Sequence, residues 1–87
     1  MEQLTIQINA NHDMEEVLRL AKEALDDLAR AHVKILPIDP VDIVHCELLH
    51  DEQGREFRYV KQFDIDSGIT VGRIDIRYAK EGEPAVS

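Results

Sequence analysis

Leu4-Thr5-Ile6-Gln7-Ile8-Asn9 alternates apolar and polar side chains, and four residues later Asp13-Met14-Glu15-Glu16-Val17-Leu18-Arg19-Leu20-Ala21 changes to a helical period. The first stretch has period two and predicts a half-buried strand over about residues 2–9. The polar run Asn9-Ala10-Asn11-His12 ends it. Asp13 stands three residues before Glu16, the spacing of a capping box, so a helix is expected to start there and run to Arg30 or Ala31. At 100° per residue Met14, Val17, Leu18, Ala21, Leu25, Leu28 and His32 share one stripe, with Glu15, Arg19, Lys22, Glu23, Asp26 and Arg30 opposite. Glu15 and Arg19 have the spacing of a helix ion pair. Leu20, Ala24 and Ala31 add a second apolar flank, wider than one sheet requires, which suits either the following connection or another subunit.

Beyond the helix, Val33–Leu36 can form only a short extended piece, because Pro37 and Pro40 forbid a long central strand. Three further strands are expected. Residues 43–50 place Val44, Cys46 and Leu48 on one face and His45, Glu47 and Leu49 on the other. Gly54 then closes a turn. Residues 55–65 put Phe57, Tyr59, Phe63 and Ile65 on the inner side, with Lys61 the exception. Asp66-Ser67-Gly68 turns the chain into residues 69–78. There Ile69 and Val71 are odd while Ile74, Ile76 and Tyr78 are even, which predicts a bulge at Gly72-Arg73. The fold class is therefore α+β, a two-layer sandwich ordered β-α-β-β-β: one amphipathic helix on a mostly antiparallel sheet whose other face is left to solvent or a partner. Residues 1–79 form one domain and 80–87 a frayed polar tail.

Composition narrows the function classes. Ten Lys and Arg stand against eighteen Asp and Glu, giving a net charge of −8. That sign opposes nucleic-acid phosphates. The acids are spread through both halves, so no acidic tail exists. The single cysteine, Cys46, excludes an internal disulfide, and no signal peptide or long apolar run is visible; together these favour the cytoplasm and argue against a membrane span.

No motif carries chemistry with specificity. His45, Cys46, Glu47 and His50 are the densest set of metal-ligand types, but along a strand they split between two faces, and a metal needs three or four convergent ligands. Asp64-Ile65-Asp66-Ser67-Gly68, with Asp75 beyond, has its glycine one place early for a calcium loop and reads as a hairpin turn. Cys46 is expected under the helix as an inert thiol, and Ser67 and Ser87 lack a base. The sequence implies no metal, no cofactor and no enzyme. The sheet face away from the helix is expected to gather His45, Glu47, Arg58, Arg73, Asp75 and Arg77. Arginine is favoured at interfaces, so this face and the Leu20, Ala24 and Ala31 flank are the candidate interaction surfaces. The expected function is a non-catalytic protein-interaction module of inhibitor, immunity or adaptor type, such as a bacterial or phage accessory protein. The alternative is a homo-oligomer, a dimer or larger, that binds a small molecule or metal between subunits using His45, Glu47 and the arginines.

Overall fold

A computed structural model describes residues 1–40 and 45–82. The elements are β1 (Glu2–Asn9), α1 (Met14–Arg30), β2 (Lys34–Leu36), β3 (His45–His50), β4 (Glu56–Asp64) and β5 (Ile69–Ala79). The α+β two-layer architecture is as expected, with the short piece after the helix adding a fifth strand. All pairings are antiparallel. The order is β1-β5-β4-β3, with β2 also on β5. Because β1 occupies one edge of β5 over Val71–Tyr78, β2 (opposite Arg77–Ala79) must follow β4 (opposite Ile69–Asp75) along the other edge.

Asp13 caps α1 in extended conformation, its carboxylate accepting the Glu16 N–H at 2.9 Å. Glu16 does not complete the box; its side chain takes Arg19 at 2.8 Å, and Arg19 also reaches Glu23 at 3.0 Å, so Arg19 bridges these two rather than pairing with Glu15. The helix ends in a Schellman arrangement: the Val33 N–H donates to the Leu28 carbonyl and the His32 N–H to the Ala29 carbonyl, with His32 left-handed at φ 59°.

Val17, Ala21 and Leu25 bury against Ile8, Phe57, Tyr59, Ile74 and Ile76. Leu4, Ile6, Leu20, Ala24 and Leu28 pack around that cluster half-buried. At roughly 25 cal/mol per Å², each fully buried side chain of this size contributes about 1.5–3 kcal/mol, so this layer supplies most of the driving force for folding.

Four sequence expectations are corrected. First, β5 has no bulge at Gly72-Arg73: its register runs one-to-one from Ile69 to Tyr78 against β4 or β1. Gly72 is instead required by contact, since a Cβ there would lie 2.9 Å from Ile8 Cγ1. Second, Ile69 and Val71 consequently share the far face with Arg73 and Asp75, and are exposed. Third, the faces of β3 are exchanged. Leu49 pairs with Phe57, Glu47 with Tyr59 and His45 with Lys61, so these three face the helix side. Cys46 and Leu48 lie opposite Val60 and Arg58 on the far face, and Cys46 is half-buried there. Apolar alternation could not decide this, because both faces of β4 are buried at its centre. Fourth, the far face is not open across its middle. Val60, Arg58 and Asp75 are buried there, and Leu36 and Ile38 are buried outside the helix-side cluster. Ile38, two residues past β2, is buried as well. Val41–Val44 and residues 83–87 of the expected tail lie outside the described residues.

Candidate functional site

The far face does gather Arg58, Arg73 and Asp75, because alternate residues of paired strands share a side and Arg58 stands directly opposite Asp75. The result is a buried ion cluster. Arg58 donates to Asp75 Oδ2 from Nη2 at 2.7 Å and from Nε at 3.2 Å. Arg73 Nε reaches the same oxygen at 3.2 Å, and the Thr5 hydroxyl donates to Oδ1 at 3.1 Å. Asp75 is 0% exposed and Arg58 6%. A carboxylate so enclosed is tolerable only with charged donors on its oxygens. The cluster therefore ties β1, β4 and β5 together from beneath, and its two central members are out of reach of a partner.

His45 and Glu47 are exposed on the other face, 3.4 Å apart, beside Lys61, whose Nζ lies 5.7 Å from the centre of the Tyr59 ring. They are not brought together with the arginines. Arg77 is half-buried opposite Leu36 and Gln3. Leu20 and Ala24 line a shallow groove of about 330 Å³ against Leu4 and Ile6, while Ala31 stands exposed at the helix end. Among the described residues, no three His, Cys, Asp or Glu side chains converge as a metal site.

Each hairpin turn spends one acid internally. Asp51 accepts from the N–H groups of Gln53 at 3.0 Å and Arg55 at 2.8 Å and from Arg55 Nε at 2.8 Å; Arg55 then reaches Asp26 on the helix at 2.7 Å. Burial pushes the Asp51 carboxyl up, but the hydrogen bonds and charge of Arg55 outweigh it and hold the group below its ordinary value. In the β4–β5 turn Asp64 accepts from Ser67 Oγ at 2.8 Å and the Asp66 N–H at 3.1 Å, and these bonds lower its pKa.

That second turn tips an arm. The pairing of β1 with β5 ends at Val71, so the pairs Phe63–Thr70 and Asp64–Ile69 stand beyond β1. Phe63 is 50% exposed, Ile65 86%, Ile69 60% and Val71 38%. Sequence reasoning turned Phe63 and Ile65 inward because apolar alternation normally marks a core. The sequence signal for the arm is the parity break at Gly72, the same feature that predicts a bulge. The body measures 43 × 25 × 17 Å, elongated as such a ribbon requires.

Compared with protein-family models, curated proteins and solved structures, the chain matches none. Among the described residues no helix is long and apolar enough to cross a membrane.

Proposed function

We propose that the chain is a non-catalytic protein-interaction module of inhibitor, immunity or adaptor type, acting in the cytoplasm, and that its working surface is the β4–β5 arm. The observation that carries this reading is the exposure of Phe63, Ile65, Ile69 and Val71 on one ribbon. Apolar side chains scattered singly on a surface need no explanation, but four clustered on a projecting element mark a contact site. They lie on both faces of the ribbon, which suits insertion into a cleft rather than contact with a plane. Residues 62–71 contain Asp64 and Asp66 and no basic residue. The fitting partner is therefore a protein with an apolar cleft rimmed by Lys and Arg; a second copy would set like charges against each other. Supporting the non-catalytic part, the two turn carboxyls with displaced pKa values are both engaged in hydrogen bonds that shape their own turns.

The test compares capture from cells of the source organism by the wild type and by Ile65→Ser/Ile69→Ser. The expected partner is retained only by the wild type, is released by salt, and when purified loses affinity for Asp64→Asn/Asp66→Asn. Identical retention by the wild type and the serine variant refutes the reading.

A further inference from the structure

Strand β1 is an outermost strand of the sheet, paired with β5 along one side. Among the described residues nothing pairs with its other side, so every second residue turns an N–H and a C=O outward. Natural edges are usually blunted by Lys, Pro, a bulge or a charge turned inward. β1 has none of these. Its far-face residues are Gln3, Thr5, Gln7 and Asn9, and its helix-side residues after Glu2 are Leu4, Ile6 and Ile8. Glu2, its single charge, is engaged at the strand end by Tyr78 Oη at 2.9 Å and Lys80 at 2.9 Å. The other long edge, β3, carries His45, Glu47 and His50.

The layer above this edge is apolar too: the groove formed by Leu4, Ile6, Leu20, Ala24 and Leu28 opens beside it. The acids on its rim, Glu23 and Asp27, are neutralised within the helix by Arg19 and Arg30. On a chain of net charge −8, this uncharged edge lets two copies meet with no like charges directly opposed along it.

Antiparallel pairing of β1 with itself must place opposed residues on the same face, so a two-fold axis can pass only through a residue, not between two. An axis at Thr5 sets Glu2 against Ile8. An axis at Ile6 sets Ile6 on Ile6, Leu4 on the partner's Ile8, Thr5 on the partner's Gln7 and Gln3 on the partner's Asn9. The second matches like with like at every position.

We propose that two copies of this chain join edge to edge through β1 about a two-fold axis at Ile6, making one continuous ten-stranded sheet with the two Leu20/Ala24/Leu28 flanks side by side. Seven paired residues span about 24 Å. Against the 17 Å thickness of the body, the pair buries roughly 400 Å² per copy and about 800 Å² in total, the size of a weak, transient interface. The dimer is accordingly weak, in the micromolar range. The inference does not rest on the arm: antiparallel docking leaves both arms free and pointing to opposite ends.

Sedimentation equilibrium of the full chain, together with cysteine pairs in a Cys46→Ser background, tests the proposal. Wild type should pass from monomer to dimer between about 10 µM and 1 mM, as a small interface implies. Opposed Cα atoms in antiparallel strands lie about 4.5–5.5 Å apart, within disulfide reach. Ile6→Cys/Cys46→Ser should therefore form a covalent dimer in a glutathione buffer. Gln3→Cys/Cys46→Ser, about 20 Å from its counterpart, should form at least tenfold less. Gln7→Lys, on an exposed position that leaves the fold intact, should weaken association at least tenfold. Ile65→Ser/Ile69→Ser should dimerise as wild type does, which separates this proposal from the arm reading. A wild type that stays monomeric at 1 mM overturns the proposal, including the case where β1 accepts a strand only from another protein. Equal cross-linking at positions 3 and 6, or unchanged association of Gln7→Lys, overturns it as well.

Discussion

Replacing Asp75 by asparagine keeps the volume of the side chain and removes its charge. In the folded chain Arg58 Nη2 lies 2.7 Å from that carboxylate, and the Arg58 side chain is 8% exposed, so the guanidinium has almost no recourse to water. Breaking a buried pair by removing one partner costs about 3–5 kcal/mol, chiefly the desolvation of the charge left behind. Arg73, 29% exposed, can turn to solvent or keep Gln62 at 3.3 Å, so its loss adds little. The Thr5 hydroxyl can still donate to the amide oxygen. The net expectation for Asp75→Asn is a loss of about 3–4 kcal/mol, against a total of roughly 4–13 kcal/mol for a chain of this length. With a urea slope of about 1–1.5 kcal/mol/M, the midpoint should fall by about 2–4 M. There is no tryptophan, so far-ultraviolet circular dichroism at low micromolar concentration is the suitable probe. The paired replacement Arg58→Met/Asp75→Leu should return to within about 1 kcal/mol of wild type, since two charges are then absent rather than one stranded. An asparagine variant within 1 kcal/mol of wild type would falsify the view that this face is closed over its ion pair.

Gly72→Ala drives a Cβ to 2.9 Å from Ile8 and should cost about 1–3 kcal/mol; Ile8→Ala makes room, so a double-mutant cycle should show coupling, and strict additivity would refute the steric account. His32 holds the left-handed position that ends the helix, and His32→Gly should raise thermal stability by about 0.5–1 kcal/mol, with no gain counting against that cap. The Asp51 pKa is depressed in the fold, so its stabilisation is complete above the unfolded value near about 3.9 and disappears as pH falls through the lower folded value. Urea midpoints should therefore drop more steeply below about pH 4 in wild type than in Asp51→Asn, and parallel slopes would remove Asp51 from the acid response.

The strand at residues 2–9 and the helix from the Asp13 cap were legible because each has an unambiguous period and a chemical boundary. β3 was not, since apolar residues occur at both parities (Cys46 and Leu48 against Leu49) and the strand it joins is buried on both sides. The same two-sided burial hid the fate of Arg58 and Asp75. Their shared face followed from strand spacing, but whether water reaches it depends on the path taken after Leu36, which no local pattern records. The arm was missed for a different reason: hydrophobic periodicity reports which side chains line up, not whether anything lies opposite them.

Strand β5 pairs with β1, β2 and β4, and the Thr5–Asp75 hydrogen bond joins residues 70 apart in sequence. This dictates an order of events in folding. The β3–β4 hairpin and the helix can form from neighbouring residues, but Leu4, Ile6 and Ile8 have no sheet to join until residues 69–79 are in place. Contacts of such long range slow the search for the native state and lengthen the time that sticky intermediates survive. A chain stalled before residue 69 would carry β1 bare on both edges, and such fragments should depend on chaperones until the last strand closes the sheet.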